Sequence, residues 1–199
     1  MNDLNQFKAY CLEHKIPIIT DDALDFILDY MKNNQVKNIL EIGTAYGFSA
    51  IAFSKAGAHV DTFEKDEERI LEAEKWIQSF DADVTLYPYD ANTYEHLNKS
   101  YDLIFIDAAK GQYQKFFTKF KHHLSPGGVI FCDNLSFHNL KPENVRKRQT
   151  RNLLKRIDRF KDFLMDQSDF DTQIMDLGDG LSISKKRALN ETFNNHPQP

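Results

Sequence analysis

Cysteine is scarce in this chain. Cys11 and Cys132 are the only two among 199 residues, and they lack paired or metal-type spacing, which argues against a disulfide framework or a zinc cluster. Cys132, inside an apolar run, reads as a small buried hydrophobe. Long hydrophobic runs are missing too: nothing approaches the roughly 18 apolar residues of a membrane span. The opening MNDLNQFKAYCLEHK is too polar and too acidic for a secretory signal, so a cytoplasmic location is expected. Internal repeats are lacking. With 41% hydrophobic and 28% charged residues, the chain has the composition of one globular domain, expected over residues 1–186. The polar ALNETFNNHPQP at the end reads as a disordered tail, expected over residues 187–199.

What is present is an alternation of strand and helix signals. Strand-like runs are NILEI (38–42), HVDTFE (59–64), DVTLY (83–87), YDLIFID (101–107), GVIFCD (128–133), DTQIMDL (171–177) and GLSISKK (180–186). Segments with helical spacing lie between most of them, at Ala50 to Ala56, Glu67 to Phe80 and Tyr113 to Leu124. Such alternation predicts an α/β fold, a parallel sheet with helices on both faces. Asp179-Gly180 offers a hairpin turn, so the last two of the seven strands should be antiparallel neighbours at one end of the sheet. Ser125-Pro126-Gly127-Gly128 reads as a helix stop that launches the next strand.

Ligands of open sheets bind outside the carboxyl ends of the strands, so polar residues there are the candidates. EIGTAYGFS (41–49) follows the first strand, with Gly43 and Gly47 bracketing a turn where freed backbone N–H groups let a ligand come close. A pyrophosphate-binding turn would want glycine at position 45, which is Ala45, and position 48 carries none either; the loop suits a ligand without pyrophosphate. Glu64 closes the second strand at about the ~20-residue distance at which an acid meets ribose hydroxyls. Asp90-Ala91, after the third strand, could meet an adenine edge, and together these positions suggest an adenosine compound. Each alone is a weak signal, and the alternative for the set is ordinary turn glycines with a solvated Glu64.

The fourth strand ends in IDAAKGQY, with Asp107 and Lys110, and the fifth ends in Asp133-Asn134. Neighbouring strands lie ~4.8 Å apart, so pairing of these two would bring Asp107 and Asp133 to one point, where a cation or shared proton must offset their repulsion. Oxygen ligands from two Asp and one Asn suit a hard cation such as Mg2+. Asp-Asn after a strand is also good turn or capping chemistry.

EIGTAYGFS with Glu64, IDAAK and the CDN step resembles the cation-dependent, S-adenosylmethionine-using O-methyltransferases of the catechol and caffeoyl-CoA type, over roughly residues 15 to 186. Within that family, HKIPIITDDALDFI and the Arg-rich segment after CDN most resemble the bacterial tRNA 5-hydroxyuridine methyltransferases. The resemblance implies a Rossmann-like methyltransferase fold and a homodimer. It implies that Glu41, Gly43, Gly47, Ser49, Glu64, Asp90, Ala91 and Asp107 hold the cofactor, with Ile18 covering it from the N-terminal side. It further implies Asp107, Asp133 and Asn134 as metal ligands and Lys110 as general base. With Ala45 where some catechol enzymes carry an aromatic residue, that contact with the cofactor should be missing.

The formal charge of −5 is unevenly spread. Residues 141–161 hold nine Lys or Arg against Glu143 and Asp158, so the rest of the chain is strongly acidic. From about Val145 the segment reads as a helix with Leu153, Leu154, Ile157, Phe160 and Leu164 on one side and Arg148, Arg151, Lys155 and Arg159 on the other. That basic stripe fits the phosphates of tRNA flanking a target nucleotide; a phosphorylated or CoA-linked phenol, or a merely solvated face, are the other readings. Tyr113, Phe137 and His138 are candidates for stacking a splayed base. A non-catalytic nucleotide- or RNA-binding module is the remaining alternative.

Overall fold

The computed structural model describes residues 3–108, 111–136 and 145–187. Among these residues seven strands form one sheet: β1 (Asn38–Ile42), β2 (His59–Phe63), β3 (Val84–Tyr87), β4 (Tyr101–Ile106), β5 (Leu124–Cys132), β6 (Phe170–Met175) and β7 (Leu181–Lys186). Their order is β3-β2-β1-β4-β5-β7-β6. The first five are mutually parallel, and β7 runs antiparallel to both β5 and β6. The expected parallel sheet with a reversed C-terminal hairpin is therefore the fold of this chain.

Among the described residues six α-helices cover the sheet: α1 (Leu4–Glu13), α2 (Asp21–Asn33), α3 (Phe48–Lys55), α4 (Glu67–Ser79), α5 (Tyr113–Phe120) and α6 (Arg148–Met165). Side chains alternate across a strand, so Ile39, Phe105 and Phe131 join a core with α1, α2 and α3, while Leu40, Ile104, Ile106 and Ile130 face α5 and α6. Covered on both faces, the central strands can be continuously apolar. No described helix is long and apolar enough to cross a membrane.

Several boundaries differ from the sequence reading. Helices α1 and α2 were not anticipated; Asp3 caps α1 by accepting from the Asn5 N–H at 3.0 Å, and α2 buries Ala23, Leu24, Ile27 and Met31 at helical spacing. The helix expected to reach Leu124 stops as α-helix at Phe120 and tightens into a 3-10 turn over Lys121–His123. β5 begins at Leu124 rather than Gly128: Leu124 pairs with Tyr101, and the register shifts before Leu103 pairs with Val129. Ser125-Pro126-Gly127-Gly128 thus lies within the strand. The tail expected beyond the domain lies outside the described residues from position 188, whereas Arg187 is still tied to the domain by its N–H to the Asp169 carbonyl and its guanidinium to Asp171.

Candidate active site

A cavity of about 430 Å³ opens at the carboxyl ends of β1, β2, β3 and β4. Its lining includes Gly43, Glu64, Asp90, Ala91, Asp107 and Asn134 of the expected positions. The loop after β1 passes so near β4 that a Cβ on Gly43, at φ +108°, would come 2.1 Å from the Asp107 carbonyl oxygen. Glycine is required there by the close approach as well as by the backbone angle.

Glu64 is nearly buried and fixed by backbone donors: Oε1 accepts from Lys65 and Asp66 at 2.8 and 3.0 Å, and Oε2 from Ala45 at 3.0 Å. Each carboxylate oxygen offers two lone pairs, which leaves capacity on Oε2 for a ligand hydroxyl. Asp90 accepts from the Asn92 backbone at 2.9 Å and pairs with Lys65 at 3.2 Å; the Asn92 N–H, ahead of the lysine, holds its carboxyl below the usual range. The Asn92 side chain donates to Asp90 and Gln112, and its Oδ1 is buried without a partner. Asn92, Gln112, Arg69 and Tyr89 line the cavity but were not singled out from the sequence: Asn92, Gln112 and Tyr89 sit between regular elements with no periodic signal, and Arg69 is one polar residue in the first turn of α4.

Four expected cofactor residues, Ile18, Glu41, Gly47 and Ser49, do not line the cavity. Glu41 is fully buried behind the loop, where Ser49 donates to its Oε1 at 2.5 Å and Thr62 to its Oε2 at 2.5 Å. The Thr44 and Thr62 hydroxyls meet at 2.6 Å, where either can donate, and a chain of four polar side chains braces the turn. Gly47 caps the start of α3, and Ser49 stands in its first turn. Ile18 packs against the core while its neighbour Pro17 meets the cavity.

Burial pushes the Glu41 carboxyl up to about 8, against the two hydroxyl bonds, which lower it. A carboxyl more basic in the folded state keeps its proton where the unfolded chain has lost it, so stability falls as pH rises from about 4.5 to about 8. Glu41→Gln mimics the protonated form. Its stability relative to the native chain should grow by at most ~1.4 kcal/mol per pH unit across that window; parallel denaturation midpoints between pH 5 and pH 8 would contradict this origin.

Across the β4–β5 step, Ile106 pairs with Cys132, which puts Asp107 and Asp133 level at the ends of adjacent strands. Asn134 Nδ2 donates to Asp107 Oδ1 at 2.8 Å, and the Asn134 N–H donates to Asp133 Oδ1 at 2.7 Å. Asn134 holds this place at φ +64°, a left-handed conformation that asparagine tolerates better than most side chains. Among the described residues there is no group of three or more His, Cys, Asp or Glu that could hold a metal ion. The three-residue set here contains only two such acids, its third oxygen being a carboxamide. As hard oxygen donors, two carboxylates and a carboxamide suit a small divalent cation once the amide presents its oxygen.

On α6 the apolar side is buried at Leu154, Ile157, Phe160 and Leu164, Leu153 is half-buried, and Arg148, Lys155 and Arg159 are exposed. Arg151 is exposed but engaged, donating to the Val145 carbonyl at 3.0 Å through Nη2. Arg156, absent from the predicted stripe, reaches back to Gly111, where its Nη1 lies 3.3 Å from the position a Cβ would take. Tyr113 corrects an expectation. Its ring is buried against Phe160 at 5.4 Å between centroids, on the same helix face as Phe116, Phe117 and Phe120, and cannot stack a base. Lys110, Phe137 and His138 lie outside the described residues.

A doubly wound sheet with its cavity at the carboxyl ends, an acid after the second strand and paired acids after the fourth and fifth define an α/β protein built to hold a nucleoside-like ligand beside a polar centre. The chain belongs to the O-methyltransferase family, whose model matches residues 1–187. A crystal structure described as a candidate caffeoyl-CoA O-methyltransferase from Staphylococcus aureus is 32% identical, with a TM-score of 0.89 over 94% of this chain and 93% of that one. Two more distant structures share the fold with TM-scores of 0.77 over 94% of this chain and 92% of theirs: TomG of Streptomyces achromogenes, involved in tomaymycin synthesis, in complex with S-adenosylmethionine (19% identical), and the Bacillus cereus O-methyltransferase in complex with S-adenosylhomocysteine (20% identical).

Proposed function

We propose that this chain transfers a methyl group from S-adenosylmethionine, with the help of a divalent cation, to the 5-hydroxyl of a hydroxyuridine in tRNA. The observation that carries the chemistry is the Asp107–Asn134 contact at the lip of a cavity that also holds Glu64 and Asp90. Glu64 binds a ribose hydroxyl through its remaining lone pair, and Asp90 with Ala91 walls the adenine. Asp107, Asp133 and Asn134 would hold the cation. Bound there, it would make the acceptor hydroxyl more acidic and fix its direction. The acceptor oxygen bonds to the methyl carbon as the carbon–sulfur bond breaks and its electron pair stays on sulfur. The hydroxyl proton goes to Lys110 Nζ, the expected general base, which accepts it as the neutral amine, the form that a neighbouring cation favours.

The tRNA reading is supported by α6. Its first turn carries no acid, so Arg148 and Arg151 add positive charge to the positive end of the helix dipole. That arrangement costs on the order of 0.3–1 kcal/mol per residue, and an anion bound there would offset it. Arg156, against Gly111, extends the same charge toward the loop of Asp107. Reversing Arg148, Lys155 and Arg159 to Glu should raise KM for tRNA at least tenfold and weaken its salt dependence, while sparing methylation of a small catechol. The direct test uses labelled S-adenosylmethionine with tRNA carrying 5-hydroxyuridine and, separately, catechols. Label in catechols with none in tRNA would overturn the tRNA assignment in favour of a small or CoA-linked phenol, the reading that the Staphylococcus aureus relative's description favours.

A further inference from the structure

We propose that the turn joining β6 to β7 positions the loop that carries Asp133 and Asn134, with Gly180 the residue on which this depends. The inference rests on the proposed function, since it concerns how that site's acceptor side is held.

Asp133 continues the ladder through its N–H to the Ile106 carbonyl at 3.2 Å, but no described helix or strand contains residues 133–136, so Leu135 and Ser136, which follow Asn134, need another source of placement. The turn supplies it through two consecutive backbone bonds: the Leu135 N–H donates to the Gly180 carbonyl at 2.8 Å, and the Ser136 N–H to the Asp179 carbonyl at 2.6 Å. The two backbones touch at a point that has no room for a side chain. A Cβ on Gly180 would come 2.5 Å from the Ser136 nitrogen and 2.9 Å from the Leu135 carbonyl carbon, and its φ of +86° already disfavours any other residue.

The same turn is anchored on its far side. The Gly178 N–H donates to Asp22 Oδ2 at 2.9 Å, at the start of α2 and a few residues beyond Pro17. Pro17 and Asn134 line the same cavity, so the turn stands between a segment on its N-terminal side and the loop that bears its polar centre. Beyond the turn, Ser182 pairs with Cys132, which ties the strand carrying Asp133 to the same hairpin. A methyl group at position 180 must push residues 135 and 136 away, and a misplacement on the order of 1 Å at a reacting centre can cost about 10²-fold in rate.

Gly180→Ala should therefore lower kcat at least tenfold per folded molecule and weaken Mn2+ binding, followed by electron paramagnetic resonance without cofactor, by about 10–100-fold, the range for residues that orient metal ligands. Affinity for S-adenosylmethionine should stay within threefold. A variant that loses thermal stability alone, with kcat and Mn2+ affinity of its folded fraction unchanged, overturns the inference and leaves the proposed function standing. Should the variant not fold, hydrogen exchange of the native chain decides: Mn2+ should slow exchange in residues 176–182 together with 133–136, and an unresponsive turn overturns the inference. If the native chain binds S-adenosylmethionine but no Mn2+, both this inference and the cation reading fail.

Discussion

Asp133→Asn should reduce methyl transfer by about 10²–10³-fold, the scale expected when one preorganised electrostatic partner of a reacting group is removed. Binding of S-adenosylmethionine should change by less than threefold. The substitution is nearly isosteric, and the carboxamide oxygen can still accept the Asn134 N–H that now bonds Asp133 Oδ1 at 2.7 Å, so the loop keeps its shape. Asp133 is 2% exposed and outside the cavity lining, which separates its contribution from cofactor binding more cleanly than Asp107, which lines the cavity. The measurement is single-turnover transfer of labelled methyl with binding followed separately. Activity within fivefold of the native chain would remove the acidic pair from the chemistry.

The second large effect is expected at Gly43. An alanine there places a methyl 2.1 Å from the Asp107 carbonyl oxygen and holds a non-glycine residue at φ +108°, so the loop after β1 and the end of β4 must part. The backbone strain alone is of order 1–3 kcal/mol, and in a domain of this size each kcal/mol lowers Tm by roughly 2–4 °C. Because Gly43 and Asp107 both line the cavity, affinity for S-adenosylmethionine should fall at least tenfold, a loss of about 1.4 kcal/mol or more. Calorimetric titration of the folded variant checks this; unchanged affinity would mean that the ligand does not touch this turn.

The sheet was legible because parallel strands covered on both faces read as continuous apolar runs, and the hairpin because Asp179-Gly180 separates two short strand-like segments of mixed polarity. The acids at strand ends were legible for the same reason: Glu64, Asp107 and Asp133 each interrupt an apolar pattern at its boundary. Other features were carried by contacts far apart in sequence. Nothing local marks Glu41 as a brace rather than a ligand contact, since its burial follows from Thr62 on the neighbouring strand and Ser49 on α3. Pro126-Gly127-Gly128 has breaker chemistry, yet Leu124 ahead of it is already paired with Tyr101. Tyr113 could have been placed: with Phe116, Phe117 and Phe120 it repeats at helical spacing, the mark of a buried face. The cavity residues Asn92 and Gln112 left no such mark.

The bond between the Gly178 N–H and Asp22 joins residues 156 positions apart. Contacts of such separation form late, after the entropy of closing the intervening loop has been overcome. A ribosome will have released the Pro17 segment and most of the sheet long before the last hairpin exists to secure either. Nascent chains halted short of position 178 should thus fold in part yet fail to retain the methyl donor, and competence should arrive abruptly with the final strand.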